Sequence, residues 1–349
     1  MKAVVVHGKE DFRYEDVPDP KPGEDEVVVK IHRCGICAAD PKILHGTAYF
    51  SQTVYNHAPI VAGHEFVGEV VELGNGSKEK YGLKVGDKAI CEIIIPCNEC
   101  YFCKRGRYNL CDIHTITGIS GPNGGWAEYM VYPKGSIIWK IPQEIPWEAA
   151  VTIEPLACGI HGAEQANIQF GDTVVLTGVG PIGLLMLQAA KLKNPLLLIA
   201  IDTDEHRLAI AKELGADLCL NPAKEDVVQK VKSLTGGIGC DVVLEVSGNP
   251  KAVVQCVDML RRGGRLMEYA VFAEKTSLDW SIISDIKELE IVGGHLSPYT
   301  YPLAIKYLSE GSIKTDKVVT HNIPLKDWRK AIETAEKHIG NSIKVTMSP

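Results

Sequence analysis

Four cysteines stand close together in this 349-residue chain: Cys97, Cys100, Cys103 and Cys111, in the pattern C-x2-C-x2-C-x7-C. Four thiolates so spaced can wrap one tetrahedral Zn²⁺ and leave no position open, which makes a structural site. The loop that carries them includes Lys104, Arg105 and Gly106 and is poor in apolar residues, so metal binding would organise it. An iron–sulfur cluster is the chemical rival for the same sulfurs. A second set is dispersed: Cys37 in Cys34-Gly35-Ile36-Cys37, then His64 and Glu65 after Gly63, then Glu154 before Pro155-Leu156. Thiolate, imidazole and carboxylates are the donors of a catalytic zinc that keeps a position for water or substrate. Taken singly they have plainer explanations: Cys37 as a small core residue, His64 as a turn histidine, Glu154 as the acid at a helix start. Cys34 and Cys37 also spell a redox C-x-x-C, but no thioredoxin-like pattern surrounds them.

A third constellation is Gly178-Val179-Gly180-Pro181-Ile182-Gly183, a G-x-G-x-x-G after the apolar run Thr173–Thr177. The first glycine permits a sharp turn, the second lets backbone approach a pyrophosphate, and the third lets helix and strand pack closely. Pro181 suits a first helical turn, where its missing N–H is no loss. The helix N-terminus would face the phosphates with a partial positive charge. A second apolar run, Leu196–Ile201, ends at Asp202, nineteen residues after Gly183. That is the spacing of a carboxylate that holds a ribose 2′-OH.

These motifs need scaffolds. The length favours two domains. A net charge of −7 without a basic block argues against nucleic acid or an anionic membrane as the main partner. No run of 18 apolar residues suggests a membrane span. The start, Met1–His7, reads as a first strand rather than a secretion signal. Eleven cysteines, an odd number without a signal, favour a reducing compartment, hence the cytoplasm, and metal ligation over disulfides.

Residues 1–90 are mostly β: Val27–Ile31, Glu65–Glu72 and Gly86–Ile90 carry β-branched runs with glycine turns, suggesting a small barrel-like domain. From Glu154 the grammar becomes βαβ. Strands are expected near 173–177, 196–201, 218–220, 241–246, 265–269 and 289–293. Helices are expected near 181–193, 205–214, 224–234 and 250–262, with Gly215 and Gly263 at helix C-termini. Alternation of this kind predicts a six-stranded parallel sheet wrapped by helices. The last fifty residues exceed what that sheet needs, so they are expected to return to the first domain and make it discontinuous.

Taken together, Cys34–Cys37, Gly63–Gly68, the four-cysteine loop, Gly124-Gly125-Trp126-Ala127-Glu128-Tyr129, Glu154-Pro155-Leu156, Gly178–Gly183 and Asp202 resemble the zinc-dependent medium-chain dehydrogenase/reductase family along essentially the whole chain. The resemblance implies a discontinuous GroES-like, β-rich catalytic domain (1–155 and 297–349) and an α/β Rossmann NAD-binding domain (156–296). It also implies a cleft between them for catalytic zinc and NAD(P), and a homodimer or homotetramer. By the same match Cys37, His64 and Glu154 are zinc ligands, and Glu65 is a carboxylate that binds the metal or exchanges with water on it. Two zinc ions per chain follow, one catalytic and one structural. Arg207 matches a basic residue along the adenosine ribose. Ala270, Val271 and Phe272, with His295, Leu296 and Ser297, fall in the stretches expected to contact the cofactor.

Glu154-Pro155 in place of a cysteine ligand points to the polyol and threonine branches. Residues 267–272, 279–285 and 294–299 are similar to dehydrogenases of four-carbon polyols, erythritol and threitol. Ala39 stands where the sorbitol pattern has a relay serine, and Leu296-Ser297 where it has an Arg-Tyr pair. The expected activity is therefore zinc-dependent oxidation of a small polyol to a ketose with hydride transfer to NAD⁺. Sorbitol, xylitol, threonine or a general secondary alcohol remain alternative substrates. A non-catalytic NAD-sensing zinc protein would not need an open metal site.

Overall fold

The computed structural model describes residues 1–349. The chain divides into two compact units, Pro155–Thr300 and Met1–Glu154 with Tyr301–Pro349. No helix is long and apolar enough to cross a membrane.

In the unit Pro155–Thr300, six strands form one sheet in the spatial order Leu218–Leu220, Leu197–Ile201, Thr173–Thr177, Cys240–Glu245, Leu260–Glu268, Glu290–Gly293. Every neighbouring pair is parallel. The central strand Thr173–Thr177 is buried at all five residues, as a strand covered on both faces must be. Val175, Ile199, Val243 and Leu266 pack with Val227, Val231 and Val257 in one cluster. Helix starts are written in the sequence: Asp204, Asp226 and Asn249 each accept from a backbone N–H of the following first turn, and Pro181 and Pro250 sit in first turns. The strand order reverses direction at Thr173–Thr177, and ligands of such sheets bind at the carboxyl ends beside that reversal.

One expectation fails here. The helix expected over 250–262 ends at Met259, and Leu260 already pairs with Cys240 as the start of the strand Leu260–Glu268. Gly263 is therefore no helix cap. It sits at φ +65° in an irregular part of that strand, its N–H donating to the Lys287 carbonyl at 2.6 Å. Arg261-Arg262-Gly263-Gly264 has no apolar alternation to announce a strand, so only pairing with a neighbour reveals it.

The other unit holds a seven-stranded sheet. Its order is Ile138–Ile141, Lys88–Cys91, Phe66–Leu73, Val27–Gly35, Lys344–Ser348, Val319–Pro324, with Tyr129–Tyr132 also pairing Val27–Gly35. The C-terminal strand Lys344–Ser348 lies directly beside Val27–Gly35, Thr346 facing Gly35 and Met347 facing Cys34. A three-stranded sheet contains Lys2–Gly8 at its centre. Val4 donates to the Trp126 carbonyl at 2.8 Å, which ties the glycine-rich 124–128 stretch to that sheet.

Candidate metal and cofactor sites

Register brings the dispersed set together. Cys34 pairs with Phe66 across the antiparallel strands, so Cys37, just past one strand, meets His64 and Glu65, just before the other. The donor atoms of Cys37, His64 and Glu65 all lie within 4.8 Å of one another. Glycines make the room. A Cβ on Gly63 (φ +90°) would lie 2.0 Å from the Trp126 ring, and Trp126 Nε1 donates to the Gly35 carbonyl at 3.1 Å. Glu154, near the start of the helix Ile153–Gln165, is buried but outside that close set of three.

Two further residues belong to this site and were not singled out by the sequence. Asp40 is buried and accepts from the Cys37 N–H at 2.7 Å, while its other oxygen lies 3.9 Å from His64 Nδ1. It fixes the Cys37 turn and faces the His64 ring, the position from which a carboxylate orients a ligating histidine. Burial pushes its carboxyl up to about 6. Lys344 is buried and ion-paired with Glu65. A Cys-x-x-Asp spacing could have suggested Asp40, but Lys344 lies 279 residues from Glu65 and had no local signal.

The donors fit a divalent cation. His64 Nδ1 is buried without a hydrogen-bond partner. Burial opposes a charged ring at His64, yet Cys37, Asp40 and Glu154 favour one and push its pKa up to about 10. Lys344 is already paired with Glu65, and the site's mixed S, N and O donors suit zinc.

The four-cysteine loop converges as well. The sulfurs of Cys97, Cys100, Cys103 and Cys111 all lie within 4.8 Å of one another, and Cys97 and Cys103 are 3.9 Å apart. Thiolates around a tetrahedral zinc at about 2.3 Å stand about 3.8 Å from each other, so the cluster has the right size. The Cys97 sulfur accepts from the Glu99 and Cys100 amides at 3.4 and 3.3 Å. Buried Glu92 anchors the loop, accepting from Tyr108 Oη at 2.7 Å and Trp139 Nε1 at 3.0 Å. Cys100→Ser is expected to lower bound metal by one ion per chain and to expose the loop to trypsin at Lys104, Arg105 and Arg107. Unchanged metal content and unchanged cleavage would count against a metal-organised loop.

In the other unit, the glycine turn shows three distinct roles. Gly178 (φ +91°) has Ser247 backbone 2.7 Å from where its Cβ would be, and a Cβ on Gly183 would lie 1.9 Å from the Gly178 carbonyl. At Gly180 a Cβ would meet no protein atom within 4 Å, which leaves the turn open to a phosphate at the N-terminus of the helix Pro181–Leu192. Val179 and Asp204 donate their N–H groups to Asp202, at 2.8 and 3.0 Å. Asp202 thus ties the turn to the end of the next strand, with carboxylate lone pairs left for a ribose. Arg207 Nε lies 3.8 Å from Asp204. The two late stretches also meet: Tyr269 Oη donates to the Leu296 carbonyl at 2.5 Å. That bond joins the residue just before Ala270, Val271 and Phe272 to the stretch His295, Leu296 and Ser297. Gly248, past the end of Cys240–Glu245, approaches the Val271 carbonyl, so these segments continue the sheet's carboxyl edge from the glycine turn.

Comparison with known proteins agrees with both units. Residues 23–143 match the family described as alcohol dehydrogenase GroES-like domain, and residues 181–310 match that described as zinc-binding dehydrogenase. The chain is 42% identical to the erythritol/L-threitol dehydrogenase of Mycolicibacterium smegmatis, over 100% of this chain and 98% of that one. Among solved structures, a 2R,3R-butanediol dehydrogenase from Bacillus subtilis superposes with a TM-score of 0.89 at 30% identity, covering 100% of this chain and 99% of that one. A Sinorhizobium meliloti protein bound to NADP gives 0.90 at 30% identity, with the same coverage.

Proposed function

The chain belongs to the zinc-dependent medium-chain dehydrogenase/reductase family, as a dehydrogenase of its polyol branch, and from that premise we propose that it oxidises a four-carbon polyol at a secondary carbon to a ketose with NAD⁺. The carrying observation is the convergence of Cys37, His64 and Glu65 in a chain that also holds a dinucleotide turn. When bound, zinc supplies Lewis acidity that lowers a hydroxyl pKa, and nicotinamide takes the hydride.

The residues divide that work. Cys37 and His64 would hold the metal, Asp40 holds the Cys37 turn and faces His64, and Glu154 would contribute a buried carboxylate as third donor or as acceptor of the hydroxyl proton. With Ala39 offering no hydroxyl, a carboxylate reached through water is the remaining proton path. Glu154→Ala separates the two roles. As a donor its loss should cut kcat as deeply as that of His64; as a proton acceptor it should cut kcat by about 10²–10⁴ and shift the pH profile. An unchanged rate would remove Glu154 from the site.

We place two zinc ions on each chain, one in the closed four-thiolate loop and one in the mixed site. Mild chelation should therefore abolish turnover while the fold persists, because the closed site releases its ion last. Iron, or one ion or fewer at full loading, would count against the pair.

The four-carbon substrate is supported by the Mycolicibacterium relative and by the polar zinc site. Every hydroxyl of a polyol must find a partner when desolvated, or binding loses about 1–3 kcal/mol per unpaired group. A carboxylate-bearing site meets that demand better than an apolar slot. The absence of the sorbitol-type Arg-Tyr pair at Leu296-Ser297 favours shorter chains. Measured kcat/KM over 2-butanol, erythritol, L-threitol, xylitol and sorbitol tests this. Erythritol or L-threitol should lead, with 2-butanol lower by about fivefold or more for each hydroxyl that pairs. A lead by 2-butanol or sorbitol overturns the four-carbon reading.

A further inference from the structure

The C-terminal strand carries a cation into the mixed metal site. Lys344 and Glu65 are both 2% exposed and ion-paired with each other, and the Lys344 ammonium also donates to the Ile36 carbonyl at 2.8 Å. Burying such a pair is costly, and an apolar pair of similar volume would often serve stability as well. The strand does not need the pair to stay in place. Thr346 faces Gly35, Met347 faces Cys34, and the Ile36 N–H donates to the Val345 carbonyl at 3.0 Å. Glu65 itself is seated against bare backbone: a Cβ on Gly35 would lie 2.0 Å from Glu65 Oε2. The carboxylate therefore has two cation positions within its reach, the Lys344 ammonium it pairs with and the Cys37–His64 donor pair that shares its site.

We propose that Lys344 is a positioning residue that holds the Glu65 carboxylate off the metal in the resting enzyme and receives it back whenever it has ligated the metal. The proposal rests on Cys37, His64 and Glu65 sharing one metal site. With two cations within reach of one carboxylate, Glu65 can move between them without ever being a buried unpaired charge. Without Lys344 the metal is its only partner, and Glu65 occupies the position that substrate needs.

Cobalt substitution tests this directly, on the full-length protein loaded with Co²⁺ at both sites. In Lys344→Met the visible d–d bands should weaken as an extra oxygen joins the mixed site. Cobalt loss from that site to a chelator should slow about tenfold, and kcat should fall by about tenfold or more. Lys344→Arg should keep the wild-type spectrum and loss rate. The double variant Lys344→Met/Glu65→Gln should return to both, because no carboxylate remains to fall onto the metal. A merely structural lysine gives the opposite: Lys344→Met with wild-type bands and metal lost as fast or faster, which overturns the proposal. Glu65→Gln supplies a second arm should Lys344→Met not fold. Its spectrum should match wild type, and a changed spectrum shows Glu65 already on the resting metal and overturns the proposal too. Cys37→Ala checks the shared site itself. If it leaves the thiolate-to-cobalt bands unchanged, the metal assignment fails and the Lys344 role with it. If those bands change while Lys344→Met behaves as wild type, only the Lys344 role fails.

Discussion

Replacing Cys37 or His64 by alanine is expected to lower kcat by about 10³-fold or more while the protein stays folded. The magnitude follows from losing charge stabilisation that is worth several kcal/mol in the transition state. The preserved fold follows from where these residues sit. Cys37 lies past the end of Val27–Gly35 and is only partly buried, and His64, though buried, precedes Phe66–Leu73 and is not part of that strand. Around them Trp126, Phe66 and Val67 are essentially fully buried and are untouched by either change. Metal content should drop from two ions to one, the four-cysteine loop keeping its own. Circular dichroism and Tm close to wild type, together with the lost ion and lost turnover, complete the expected result. A His64→Ala enzyme with near wild-type rates would refute the metal role.

The second large effect is discrimination against NADP⁺, expected at about 10²–10³-fold in kcat/KM. Asp202 ends the strand Leu197–Ile201 beside the glycine turn, and Asp204 and Glu205 follow it. A ribose 2′-phosphate would bring nearly two negative charges against that group. One unit of like charge at about 4 Å costs about 4 kcal/mol at the effective dielectric of a protein surface, which Arg207 offsets in part. Asp202→Ala should narrow the gap without releasing metal. It should also cost about 1–3 kcal/mol of stability, because the Val179 N–H, which Asp202 accepts at 2.8 Å, loses its partner. Comparable kcat/KM for the two cofactors would sink this reading. The structural neighbour bound to NADP makes the measurement a sharp one.

By itself, the sequence determined whatever depends on neighbours along the chain. Period and punctuation announced the alternating strands and helices of the Rossmann unit, and the caps at Asp204, Asp226 and Asn249 stand where short polar residues precede helices. The glycine turn was legible because its three demands, a positive φ, an open approach and a close packing, each fall on a residue without a Cβ. The four-cysteine loop was legible for the same local reason, since its four thiols lie within fifteen residues of one another. The strand at Leu260–Glu268 was not, because its first residues carry no alternation and gain their geometry only from pairing with Cys240–Glu245.

Tertiary structure alone decided the mixed site. The sequence offered a thiol, an imidazole and carboxylates of the right kinds, but nothing local sets the distance between Cys37 and His64. The antiparallel register of Val27–Gly35 with Phe66–Leu73 does that, by placing Cys34 opposite Phe66. It also left Glu154 outside the closest set and brought in two residues that had gone unremarked. Asp40 enters through the turn that follows Cys37. Lys344 enters because the last strand of the chain pairs beside Cys34 and Gly35, and in a polymer only folding can make residues 65 and 344 neighbours.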